Sequence, residues 1–225
     1  MSALENSFLQ LENVKVIDSF IPYSKYTPID LSIANIELSK IDLVNAEIFE
    51  TFIENHLQIK NAKVAFGGYN EERNLYKSSH LFNNEEKEER NIHLGIDLWI
   101  KAGTPILAAL HGTVYGFDYN TGKGNYGLTI ILKHSLENQN FYTLYGHLSM
   151  ESITEIEIGT VFQKGQKIAT LGDVSVNGGY SPHLHFQIIK DIKDYIGDYP
   201  GVCSITDLEY YLENCPDPNL LLKIM

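Results

Sequence analysis

Basic residues are scarce in this chain. Lys and Arg number 17 against 29 Asp and Glu in 225 residues, a formal net charge of −12. A nucleic-acid binder needs a basic patch or stripe, and anionic lipid surfaces attract basic segments, so neither nucleic acid nor membrane is an expected partner. Cysteine is equally sparse. Cys203 and Cys215 are the only two, too few for the disulfide framework of a small secreted scaffold, and free thiols are expected. No stretch approaches the ~18 apolar residues of a membrane span. The start, from Met1 to Ser7, shows no basic region followed by an apolar run of the kind that directs export. A cytoplasmic address is therefore the expectation.

What is present is material for a core. Hydrophobic residues make up 44% of the chain, and the length suits one compact unit with an N-terminal elaboration. Residues 14–17 and 33–38 alternate apolar and polar side chains and are expected as half-buried strands. Phe49, Phe52, Ile53 and Leu57 recur at helical steps behind Asn45, a suitable N-cap, which predicts a helix over residues 45–57. Residues 64–69 read as a strand entering a glycine turn. Residues 106–109, 112–117, 127–133, 141–145 and 167–171 read as further strands separated by turn-rich segments, and an antiparallel sheet follows. Toward the end, Thr206 and Glu209 have capping-box spacing before a short helix. Pro216 and Pro218 stop that helix, and the apolar residues 220–222 are expected to pack back on the domain.

Histidine carries the chemistry. His183 and His185 alternate with Leu184 and Phe186 on one strand, so the two imidazoles share a face and the two apolar side chains take the other. His93 and Asp97 also fall on a common face. A straight strand would hold them about 13 Å apart, too far for one ion whose ligands each lie about 2.0–2.2 Å away. The backbone between them must bend, and Gly95 stands at the middle, where conformational freedom makes a bend possible. Imidazole with carboxylate is the donor set of open zinc sites, which keep three protein ligands and one position for water. Four candidate groups compete for three places. Gly146 and His147 end an alternating strand and offer another imidazole. His56, His80, His111 and His134 read as structural, as do the loop carboxylates Asp118 and Asp173. The glycine-rich loop at residues 172–179 is placed to line a substrate groove. Arg73 has two readings: a bidentate holder of a substrate carboxylate, or a surface partner of Glu71 or Glu72.

An H-x-x-x-D motif at His93 and Asp97, a later G-H at Gly146 and His147, and an H-x-H at His183 and His185 occur here in that order. This set resembles the lysostaphin/LytM-type zinc metallopeptidases over roughly half the chain, from about Gly67 to Phe186. The wording of residues 141–149, 182–188 and 215–220, and a Gly68, Tyr69, Arg73, Tyr76 pattern, is similar to a peptidase-like module found fused to pyridoxal-phosphate aminotransferases. The resemblance implies a mainly β fold, α+β at the ends, with an antiparallel sandwich core of the duplicated hybrid motif type. Residues 1–62 would form an N-terminal extension containing one helix, and residues 63–225 the peptidase domain with a short C-terminal helix. It implies Zn2+ held by His93, Asp97 and His185, with His147 and His183 as the catalytic pair. The expected activity is hydrolysis of a peptide bond by metal-activated water, on glycine-containing or peptidoglycan-type peptides. Two rival readings are a zinc-bearing module that binds such a fragment without cutting it, and an intracellular amidohydrolase with an aminotransferase as partner.

Overall fold

The computed structural model describes residues 1–75, 88–154 and 156–224. Its elements in chain order are α1 (Ala3–Gln10), β1 (Tyr26–Pro28), α2 (Ala46–Ile59), β2 (Val64–Gly67), β3 (Glu71–Glu72), β4 (Ile92–His93), β5 (Ile96–Trp99), β6 (Pro105–Leu107), β7 (Gly112–Asn120), β8 (Gly127–Leu136), β9 (Gln139–Leu148), β10 (Val161–Phe162), β11 (Lys167–Thr170), β12 (His183–Ile189), β13 (Val202–Cys203), α3 (Leu208–Asn214) and α4 (Asn219–Leu222). An eight-stranded sheet runs in the order β1-β2-β5-β12-β9-β8-β7-β10. All its pairs are antiparallel except β1 with β2. A two-stranded sheet, β11-β6, and a three-stranded sheet, β13-β4-β3, accompany it. The fold is mainly β, as the alternation of the central segments requires.

Period-two patterning assigns the two faces of the large sheet. Ile96, Leu98, Leu184, Phe186, Ile188, Ile130 and Leu132 enter the main core, where they meet Ile106 of β6, Ile168 of β11 and the terminal helices through Phe8, Leu221 and Leu222. The opposite face of β5 and β12 carries Asp97, Trp99, His183, His185 and Gln187, all buried. A second cluster, in which Phe49 and Ile53 of α2 pack with Trp99, covers part of that face.

Several local expectations give way to tertiary context. Residues 14–17 form no ladder beyond one isolated bridge between Ile17 and Ile106. Val14, Val16 and Ile17 are all buried, so their hydrophobicity reports a packed connector and not a half-exposed strand. Residues 33–38 are turns leading into a 3-10 helix at Leu38–Lys40. The cause is local: Asp30, Ser32 and Asn35 accept backbone N–H groups two residues ahead, which competes with strand pairing. The N-terminal part holds a helix beyond the one expected, because Ser2 and Glu5 form a capping box that starts α1. Helix α2 begins behind Asn45, whose side chain accepts from Glu47 and Ile48. Helix α3 starts behind Asp207 without a side-chain cap, since the Asp207 carboxylate is engaged by Ser204. Cys203 and Cys215 are free thiols, both buried. No helix among the described residues is long and apolar enough to cross a membrane.

Candidate metal centre and cleft

The chain changes sheets between His93 and Asp97. His93 lies on β4, in register with Glu71 on one side and Val202 on the other, while Asp97 lies on β5 opposite Gly67 and His185. The residues between leave strand geometry at Leu94 and Gly95. Gly95 is needed for room more than for an unusual φ: a Cβ there would come within 2.7 Å of the His185 ring and 2.8 Å of the Phe186 carbonyl. Because the backbone bends, both side chains converge on the site face. His93 Nε2 and His185 Nδ1 each lie 3.3 Å from Asp97 Oδ1 and 2.9 Å from one another.

Hydrogen bonds fix what those atoms present. His93 Nδ1, 2.9 Å from the Gly68 carbonyl, must donate to it, because a carbonyl only accepts. Gly68 has φ +103°, and a Cβ there would strike the Arg73 guanidinium and touch His93 Nδ1, so only glycine brings that carbonyl to the imidazole. His185 Nε2 donates to Gln187 Oε1 at 2.9 Å, while the Gln187 amide nitrogen donates to the Pro200 carbonyl. Each ring therefore turns a bare lone pair inward. Burial pulls His93 down to about 4, outweighing the raising effect of Asp97, so the ring is neutral near pH 7. Burial opposes the charge of Asp97, yet the surrounding imidazoles, when protonated, and the permanently charged Arg73 guanidinium outweigh it and hold the carboxyl well below its ordinary range. Asp97 Oδ1 is buried with no hydrogen-bond donor among the described residues.

With Nδ1 of His93 and Nε2 of His185 committed to their hydrogen bonds, the other ring nitrogens and the Asp97 carboxylate present three lone pairs to one point. Such an arrangement is repulsive unless a cation sits among them. Atoms on a tetrahedral zinc stand about 3.3 Å apart, which two of the three separations here match and the third, at 2.9 Å, approaches. The donor set fits zinc, and His93, Asp97 and His185 are the groups that would hold it.

His183 and His147 stand beside this triad. His183 Nε2 is 3.9 Å from Asp97 Oδ1, and its ring lies 4.3 Å from that of His147. Each Nδ1 donates to a carbonyl, Ser181 for His183 and Asn177 for His147, both at 2.8 Å, which leaves Nε2 as the bare nitrogen on both rings. Trp99 stacks on His183 at 4.0 Å and 25° and fixes its plane. Burial lowers His183 to about 4 and His147 well below the usual imidazole range, so both are neutral at pH 7. His147 reaches the site through a backbone irregularity. In a regular β9 it would follow Tyr145 onto the core face. Instead it has φ 64°, and the register with β8 slips between Leu128 and Ile130, a bulge that turns the ring over.

Arg73 forms the expected pair with Glu71, but in the interior and not on the surface. It is 1% exposed, and it grips protein carboxylates: Nη1 binds Asp97 Oδ2 at 2.6 Å and Nε binds Glu71 at 2.5 Å. By occupying Oδ2 it leaves Oδ1 aimed at the histidines. The 172–179 loop supports the site through the Asn177 carbonyl, and the neighbouring Tyr180 lines the cleft. His56, His111 and His134 bond Pro28, Gln163 and Thr143 respectively, away from the centre. His80 and Tyr76 lie outside the described residues. The cleft over the histidines has a volume of about 280 Å³ and is walled by Trp99, Tyr126, Tyr180 and a segment between Tyr195 and Val202. The motifs did not point to that last wall, which only tertiary folding brings over the site. No described residue before Arg73 lines the cleft.

Known proteins share this part of the chain. Residues 91–196 match the model of peptidase family M23. That match spans β4 to the end of β12 and includes His93, Asp97, His147, His183 and His185. An uncharacterized metalloprotease of Haemophilus influenzae is 35% identical over 95 residues, 42% of this chain and 18% of that protein. A lipoprotein NlpD/LppB homolog of Pseudomonas aeruginosa is 33% identical over 103 residues, 46% of this chain and 31% of that protein. This chain therefore spans less than a third of either curated relative. The catalytic domain of the antimicrobial peptidase lysostaphin from Staphylococcus simulans aligns over 54% of this chain and 80% of its own, at 23% identity and a TM-score of 0.37.

Two outcomes follow from the geometry. Without metal, the buried neutral histidines make stability depend on pH. A ring near 6.5 when unfolded and near 4 when folded binds more protons unfolded throughout that window, so stability rises with pH there. Thermal unfolding of the metal-free chain should show a melting temperature that drops steadily from pH 6.5 to 4 and is nearly flat just above 7. A flat profile across the acid window would contradict the buried neutral rings. In Arg73→Met, Asp97 loses the group that orients its carboxylate, and zinc affinity measured by competition with a chromophoric chelator should fall about 10- to 100-fold. An unchanged affinity would remove Arg73 from the site.

Proposed function

We propose that this chain is a zinc-dependent peptidase that hydrolyses an amide bond lying across the cleft above His183 and His147. The observation that carries the reading is the meeting of three bare donor atoms on Asp97 and two imidazoles, with two more imidazoles presenting unprotonated Nε2 atoms alongside. The M23 match supports the same chemistry. Held by His93, Asp97 and His185, zinc supplies Lewis acidity, polarising a carbonyl oxygen and bringing the pKa of water toward neutrality.

The chain's own residues do the rest. His183 Nε2 lies nearest the carboxylate ligand and is the candidate general base; its lone pair is available at neutral pH because its other nitrogen is committed to Ser181. Having taken a proton, it becomes a donor for the departing amine. His147 is the second such group. It either shares the proton transfers or, once protonated, stabilises negative charge on the carbonyl oxygen, a contribution of about 3 kcal/mol when a donor is well placed. Trp99 and the backbone carbonyls of Ser181 and Asn177 hold the two rings in place, so little reorganisation is needed as charge develops.

The test uses a pooled set of glycine-containing peptides and peptidoglycan fragments. Chelation should abolish turnover and one equivalent of zinc should restore it. His183→Ala should keep zinc and lose about 100- to 10,000-fold in kcat. Normal turnover in His183→Ala, or in chelated protein, would sink the assignment. Zinc binding and peptide affinity without cleavage would mark a binding module.

A further inference from the structure

Among the described residues the cleft holds one acidic group that the hydrolytic machinery does not use. Asp198 lies in the wall formed after Tyr195, is partly buried, and faces the same cavity as the metal centre. Among the described residues its carboxylate has no hydrogen-bond or ion-pair partner. Arg73, by contrast, is held by Asp97 and Glu71, and Arg90 donates to the Val202 carbonyl. The carboxylate is half-exposed to the cavity, and partial burial together with the nearby negative charge of Asp118 raises it above its ordinary range, both of which a cation beside it would offset.

The surroundings are of the kind that accept a cation. Tyr195 and Tyr199 meet edge to face at 5.0 Å, and Tyr126 stands 5.2 Å from the His185 ring and 5.7 Å from His147. All three line the cavity with Asp198. The wall is pressed close to Tyr126: a Cβ on Gly201 would fall 1.9 Å from its hydroxyl. Aromatic faces attract ammonium groups, and a carboxylate among them adds direct charge and hydrogen bonding.

We infer that Asp198, with Tyr126, Tyr195 and Tyr199, forms a subsite for a primary ammonium group of the substrate, so that the enzyme acts on peptides or amides carrying a free amine near the scissile bond. This rests on the peptidase reading for its scissile bond but not for the binding itself. A primary ammonium reaches the cleft from a peptide N-terminus or from a lysine-type side chain, and the test separates the two.

Trp99 is the only tryptophan and lines the cleft, so its fluorescence reports occupancy. The metal-free chain is titrated with Ala-Ala-Ala-amide, its N-acetyl form, and acetyl-Ala-Lys-Ala-amide. One of the two amines should bind roughly 10- to 100-fold more tightly than the acetylated trialanine, the range of a hydrogen bond to a charged group. In Asp198→Asn that ratio should fall to about one. The same ratios are read as kcat/KM with zinc. Equal binding of all three peptides, binding of none, or a preference that survives Asp198→Asn overturns the subsite. An amine preference in binding with no zinc-dependent turnover keeps the subsite and removes the peptidase reading; turnover without preference does the reverse.

Discussion

Asp97 is the point on which the site is built. Its two oxygens are divided between two tasks: Oδ2 is bound by Arg73, and Oδ1 is left, among the described residues, without a donor between His93 and His185. Arg73 brings one positive charge, and Asp97 and Glu71 bring one negative charge each. With neutral imidazoles the buried cluster is anionic, and the imbalance falls at the oxygen that faces the histidines. Both effects favour a divalent cation at the same point, the first by geometry and the second by charge.

The architecture exists to let two sheets meet there. Strand β12 lies between β5 and β9 in the large sheet, which sets His185 in register with Asp97 on one side and Gly146 on the other. His93 arrives from the three-stranded sheet, whose strands β3 and β13 also bring Glu71 and the cleft wall. Two glycines make the junction possible for steric reasons: Gly95 admits the His185 ring, and Gly68 carries the carbonyl that selects the His93 tautomer. The apolar face of the same strands is locked into the main core. The donor atoms are therefore held by rigid elements, as a site that must not reorganise requires.

Much of this was legible in the sequence because it follows from the two-residue period. The H-x-H pair, the burial of Leu184 and Phe186 beneath it, and the need for a bend at Gly95 all come from strand alternation. The bend was found, but its cause was only partly foreseen, since the close neighbour that forbids a Cβ comes from residue 185. His147 was visible as a histidine after a glycine, while the bulge that rotates it depends on a mismatch with β8. The Glu71 partner of Arg73 was legible, but its second partner Asp97, 24 residues away, and the burial of the pair were not. Asp198 lies on a segment with no periodic signal. In the N-terminal region the capping box at Ser2 and Glu5 went unread, and the turns around Asp30 and Asn35 show how short polar side chains override an alternating pattern.

On the proposed reading, two imidazoles and one carboxylate take up zinc. X-ray absorption at the zinc edge, on protein loaded with one equivalent, tests it most directly. A shell of nitrogen and oxygen only is expected, at about 2.0–2.1 Å, with outer scattering from two imidazoles, and loss of that stoichiometric site in Asp97→Ala. A sulfur shell near 2.3 Å, or a spectrum that Asp97→Ala leaves unchanged, would contradict it.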